Sequence, residues 1–148
     1  MNKISILFLG DIALNGIFID QFKRQFNPFK NLETFFLKKD LIVGNLECMA
    51  KGDQGENLKK KPRLTTNTET LNFLNILNVK IVSLAHNHVY DHLEDGFLKT
   101  TQFLNDNKIK FTGASLIKGE EVKSLIKVIN DVKFGFLNYL TSDTNPSL

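Results

Sequence analysis

Apolar residues along this chain fall into short strand-like runs separated by stretches of helical period. Residues 4–9, 40–43 and 80–85 are runs of strand length rich in β-branched or aromatic side chains, and each stops abruptly at polar residues. A fourth strand is predicted over 109–112, ending at Gly113. Between the first two strands, Ile17, Phe18, Phe22 and Phe26 share one stripe and predict a helix over 17–26, broken at Pro28. A second helix over 30–38 turns Leu32, Phe35 and Phe36 inward. A third starts at Asn67 or Thr68 and reaches Leu77, because Thr68 and Glu69 bring a hydroxyl and a carboxylate to its first turn. A fourth runs over 93–105 with Phe97, Thr101 and Leu104 on one face. Residues 126–129 and 133–137 flank Asn130-Asp131, the signal of a β-hairpin. The alternation predicts an α/β fold whose parallel or mixed sheet is covered by helices.

The chemistry gathers where the predicted strands stop. The first runs into Gly10-Asp11, the second into Gly44-Asn45-Leu46-Glu47, and the third into His86-Asn87-His88 followed by Asp91. An open α/β sheet presents its site at the carboxyl ends of its strands. Three strands each ending in a carboxylate or an Asn/His cluster therefore point to a divalent-metal site. Asp11 and Glu47 offer carboxylates, Asn87 an amide oxygen, and His88 a ligand or a general acid near neutral pH. Asp91, three residues on, is placed to orient that imidazole. Oxygen-rich donors with some imidazole suit Mn, Mg, Fe or Zn. Each residue also has a plainer role. Asp11 suits an Asx-turn or helix cap, His86 a hydrogen-bonded structural group, and Asp91 the cap of the following helix. His92 is expected at the surface, and Cys48, beside Glu47, reads as a small buried hydrophobe rather than a metal thiolate.

Composition narrows the picture. With 148 residues, 42% of them hydrophobic, the chain can bury a core, and 13 Phe against 2 Tyr and no Trp make phenyl rings its main large filler. The net charge of 19 − 16 = +3 is too small to argue for nucleic acid. No apolar stretch approaches the ~20 residues needed to span a bilayer. Met1-Asn2-Lys3 leads into a strand rather than a signal sequence, so a cytoplasmic location is expected for the chain as encoded. The single cysteine excludes an intrachain disulfide. Residues 50–66 are polar, contain glycine and carry Lys59-Lys60-Lys61-Pro62-Arg63. They predict a long exposed loop, either a solvated charge run or an acceptor of an anionic substrate beside the metal.

The three strand-end motifs, taken together, resemble the CapA family of bacterial capsule-synthesis or poly-γ-glutamate biosynthesis proteins, relatives of the calcineurin-like metallophosphoesterases. Gly96 and Thr100, then Phe111-Thr112-Gly113-Ala114, then Val132-Lys133-Phe134-Gly135-Phe136-Leu137 continue the resemblance in order. The resemblance implies a metallophosphatase-like layered β core flanked by helices, with a dinuclear metal site at the strand ends. It implies Asp11, Glu47 and Asn87 as metal ligands, with His86 as an added one where the family usually has asparagine. His88 matches the histidine that protonates a leaving oxygen, with Asp91 beside it, and Asn45 and Arg63 are the candidate substrate-binding residues. The implied activity is metal-dependent hydrolysis of a phosphoester, and the implied partners are an anionic polymer or phosphoester and other capsule-biosynthesis proteins. Family members are often extracytoplasmic or membrane-anchored. The family's last metal ligands are downstream histidines, and no histidine follows His92. Residues 1–148 are therefore expected to be the N-terminal part of a single larger domain, with an uncovered sheet edge or face near Phe134, Phe136 and Tyr139. Two further readings stand beside this one: a non-catalytic binding or assembly component of a capsular polymer system, and a flavodoxin-like domain with Asp11 and Glu47 as a Mg²⁺ pocket.

Overall fold

A computed structural model of the chain describes residues 3–117 and 124–141. Its elements are β1 (Ile6–Ile12), α1 (Ile17–Lys23), α2 (Glu33–Leu37), β2 (Leu41–Leu46), β3 (Met49–Ala50), β4 (Thr65–Thr66), α3 (Phe73–Ile76), β5 (Ile81–Ser83), α4 (Leu93–Asp106), β6 (Lys110–Thr112), β7 (Leu125–Ile129) and β8 (Val132–Phe136). Short 3₁₀ turns, Lys30–Leu32 and Thr70–Asn72, lead into α2 and α3.

The central sheet has the order β1-β2-β5-β6, with every neighbouring pair parallel. Each strand of this sheet thus lies beside the one that precedes it in the chain. Right-handed crossovers that always step in one direction put their helices on one face. The core agrees: Ile42, Leu46 and Val82 of the sheet and Leu84 just beyond β5 pack with Phe36, Phe73, Leu74, Phe97, Phe103 and Leu104 from the helices. Phenyl rings do fill this layer. Phe73, 1% exposed, has Phe18, Phe22 and Phe29 around it at centroid distances of 6.2, 5.3 and 5.6 Å. The other face, Leu41, Val43 and Ile81, is covered by the hairpin through Leu125, Ile129 and Phe136. The result is an α/β fold with a parallel central sheet, helices on one side and a β layer on the other. A flavodoxin-like domain reverses direction within its sheet and carries helices on both faces; the sequential order and the hairpin layer overturn that reading.

The hairpin forms as the sequence predicts, β7 antiparallel to β8, with Asn130 and Asp131 both at positive φ. Its outer surface leaves Ile126, Val128 and Val132 exposed, and Leu137 and Tyr139 beyond it are exposed too, whereas Phe134 and Phe136 are half-buried. Between β8 and the sheet lies a cleft of about 440 Å³, apolar along Ile6, Phe8, Val43 and Phe134 and polar at Asn45, Ser83 and Asn138. Among the described residues no helix is long and apolar enough to cross a membrane.

The stretch expected as a long exposed loop differs from that expectation. Its ends, β3 and β4, pair in parallel as a small second sheet, and Ala50, Gly52, Asn57 and Thr66 are buried. It is a strap bound to α4 and the turn before it. Ala50 N donates to Thr100 Oγ1 at 2.8 Å, Gln54 N to Asp95 Oδ2 at 2.8 Å, and Asn57 N to the Asp91 carbonyl at 2.9 Å. Local composition is blind to this, because every partner lies about 34 to 50 residues away.

Candidate functional site

The parallel strands bring their carboxyl ends to one edge. Asp11 is in register with Asn45 and Asn45 with Ser83, after a bulge between Phe8 and Asp11. Gly10 takes φ +67° within that bulge. Cross-strand neighbours share a face, and Asn45 Nδ2 donates to Asp11 Oδ1 at 2.7 Å. Asp11 is exposed, while Asn45 Oδ1 is buried with no hydrogen-bond partner among the described residues. Glu47 follows directly, half-buried, its N–H donating to the Ile12 carbonyl at 3.1 Å. Cys48 is fully buried, receives the Leu14 N–H at 3.1 Å, and has its thiol pushed up to about 12 by loss of solvent. A thiol so raised stays protonated at neutral pH and packs as a hydrophobe.

The third motif leaves β5 as a tight turn. His86 is 4% exposed, and His88 N donates to its Nδ1 at 3.1 Å. A neutral imidazole accepting at Nδ1 carries its proton on Nε2. That Nε2 is buried and, among the described residues, meets no partner in good hydrogen-bond geometry, although the Leu46 carbonyl is near enough to favour the charged ring. Burial is the larger influence and, with His88 and Lys60 nearby, holds His86 down to about 4. His86 Nδ1 is thus engaged within the turn. Asn87 is half-buried. His88, 7% exposed, places Nδ1 2.6 Å from Oδ2 of the fully buried Asp91. The helix-capping alternative for Asp91 does not hold: α4 begins after His92 with no side-chain cap, and the carboxylate faces inward.

Two strap groups close on that carboxylate. Leu64 N donates to Oδ2 at 2.6 Å and Lys60 Nζ lies 3.2 Å from Oδ1, while Lys60 Nζ also donates to the Asn87 carbonyl. Nothing in the run Lys59-Lys60-Lys61 itself distinguishes the middle lysine. Arg63 is engaged within the strap. Its Nε donates to Glu56 Oε2 at 2.7 Å and its Nη1 to the Lys60 carbonyl at 2.6 Å, so it braces the strap. Lys59 and Lys61 are exposed. His92 corrects another expectation: it is fully buried, with Nε2 3.0 Å from Thr65 Oγ1. Among the described residues, no group of three or more His, Cys, Asp or Glu side chains is gathered so as to hold a metal ion.

Comparison with the curated proteins finds no match for this chain. The profile of the bacterial capsule synthesis protein PGA_cap matches residues 5–147, which takes in every strand end described above, and the chain belongs to that family.

Proposed function

We propose that the strand-end edge binds a divalent cation and that the protein acts as a metal-dependent phosphoester hydrolase in the synthesis of capsule or poly-γ-glutamate. The observation that carries this reading is the placement of the Asp11–Asn45 pair and the His88–Asp91 pair at the carboxyl edge of one parallel sheet. The donor chemistry fits a hard or borderline ion. Beside an exposed carboxylate, the buried Asn45 Oδ1 meets no hydrogen-bond donor among the described residues, and a cation or its hydration shell satisfies such an oxygen. Asp11, Glu47 and the Asn87 amide would hold the ion, with Asn45 beside them. Bound there, a divalent ion supplies charge neutralisation for a phosphoryl group. His88 delivers a proton to the leaving oxygen from Nε2, and Asp91 fixes the ring that delivers it. The exposed Lys59 and Lys61 on the strap add positive charge for an anionic substrate.

Mn²⁺ titration by calorimetry, with p-nitrophenyl phosphate turnover measured in parallel, tests this. Wild type is expected to bind Mn²⁺ and turn over, and Asp11→Asn to lose both. Binding that is unchanged in Asp11→Asn removes the assigned site.

A second reading is a non-catalytic binding or assembly component of a capsular polymer system. It is favoured by one observation: the described acidic and imidazole groups do not gather in threes. Mn²⁺ binding without turnover, together with retention of an anionic polymer such as poly-γ-glutamate, selects it.

A further inference from the structure

We infer that Lys60 is a positioning residue for His88, acting through Asp91. The inference rests on the reading of His88 as the proton donor, and it concerns how that histidine is held ready.

The Asp91 carboxylate is fully buried, and two hydrogen-bond donors and one ammonium, from two separated segments, converge on it. Oδ2 takes His88 Nδ1 at 2.6 Å and Leu64 N at 2.6 Å, and Oδ1 faces Lys60 Nζ at 3.2 Å. A buried carboxylate without a counter-charge is driven to the neutral acid, whose proton would compete for the same imidazole nitrogen. Lys60 supplies that counter-charge from a side chain only 9% exposed. Paired with the Lys60 ammonium, the Asp91 carboxylate accepts from Nδ1 of His88, so the neutral ring keeps its proton on Nδ1, and Nε2 is the nitrogen that takes up the second proton and then delivers it to the leaving oxygen. The same ammonium donates to the Asn87 carbonyl and ties the backbone just before His88. Lys60 thus spans both ends of the turn from Asn87 to Asp91, and the strap that carries it is anchored to that turn by Asn57 N on the Asp91 carbonyl at 2.9 Å. Lys59 and Lys61 are exposed beside it, so the three lysines divide between surface charge and site assembly.

The test reads the His88 tautomer directly, by long-range ¹H–¹⁵N NMR on metal-free protein at a pH where the ring is neutral. Wild type and Lys60→Arg are expected to show a single tautomer with the proton on Nδ1. Lys60→Met is expected to show a mixture with Nε2–H raised at least several-fold, and a turnover roughly 10-fold or more below wild type, the usual scale for the loss of a ligand-orienting partner. A Lys60→Met protein that folds and keeps the single Nδ1–H tautomer overturns the inference. Should Lys60→Met fail to fold, the double variant Lys60→Met with Asp91→Asn removes the stranded carboxylate. A double variant whose tautomer mixture equals that of Asp91→Asn alone supports action through Asp91, and a further change beyond Asp91→Asn overturns it. If wild type lacks Mn²⁺-dependent turnover, the hydrolase reading fails, while the metal-free tautomer result still decides the role of Lys60.

Discussion

Asp91 Oδ2 lies 2.6 Å from Nδ1 of His88, three residues earlier in the same turn, with the carboxylate fully buried and the ring 7% exposed. The pair is short, dry and held from the strap side by Leu64 N at 2.6 Å. A contact of this kind sets which ring nitrogen carries the proton, and so which is free to act.

Loss of each member of the histidine motif should read differently. His88→Ala is expected to lower Mn²⁺-dependent turnover by about 10²-fold or more, the scale of a general acid. His86→Ala is expected to leave turnover within a few-fold while lowering the melting temperature, since His86 Nδ1 receives the His88 N–H inside the turn. Steady-state kinetics and thermal melts on the two variants check this, and equal small effects on turnover would count against the role given to His88.

Acid should weaken the fold through His86. Its pKa falls from 6.5 to about 4 on burial, so between those values the unfolded chain binds a proton that the folded chain refuses. The stability is present above about pH 6.5 and is lost as pH falls toward 4, of order 2 kcal/mol by pH 5. Urea midpoints at pH 7 and pH 5 should separate clearly in wild type and by less in His86→Asn, whose amide oxygen can still accept the His88 N–H but does not titrate. An equal pH dependence in both proteins would show that other groups govern acid unfolding.

Cys48 should be inert while the protein is folded. Its thiol is fully buried and pushed up to about 12, so almost none is thiolate at pH 8. Iodoacetamide is expected to leave native protein unlabelled by mass spectrometry and to label it fully in urea. Rapid labelling without urea would mean that the segment around Leu46 and Met49 opens locally.

The sheet and the placing of its strand ends were legible because they are local in sequence. The strand over 80–85 shows its apolar run and its stop at His86 within a few residues, and Asn130-Asp131 states its turn outright. Parallel pairing then carries Asp11, Asn45 and the His86-Asn87-His88 turn to one edge. Element ends shifted for identifiable reasons. The predicted helix over 17–26 stops at Lys23 because the chain turns at Arg24 and Gln25, the latter at φ +54°. Asn67 does cap the third helical segment, its Oδ1 accepting from Thr70 N at 2.8 Å, but the first turn is 3₁₀ and the α-helix proper begins at Phe73. What stayed hidden was the tertiary part. The burial of His92 against Thr65, the engagement of Arg63 with Glu56, and the choice of Lys60 over its neighbours all depend on how the strap lies across α4 and its preceding turn. No period or propensity encodes that path.

Gly96 controls that path and gives the last prediction. It sits in the first turns of α4, where the helix meets β3. A Cβ built on Gly96 would lie 2.8 Å from the Ala50 carbonyl oxygen and 2.4 Å from His92 Cβ, neither of which can swing away as a side-chain tip can. Gly96→Ala therefore pushes the strap off the helix. The expected cost is about 1–3 kcal/mol, the range for overpacking a filled interior. Helix propensity alone works the other way, since alanine is favoured over glycine in a helix by up to about 1 kcal/mol. The sign of the result thus decides whether close approach governs this position. Gly135→Ala is the reference, because a Cβ there meets nothing within 4 Å. Denaturant melts should show Gly96→Ala less stable than wild type and Gly135→Ala close to it. Turnover in Gly96→Ala should fall as well, because the strap brings Lys60 and Leu64 to Asp91. A Gly96→Ala protein as stable and as active as wild type would show that the strap can shift without disturbing the His88–Asp91 pair.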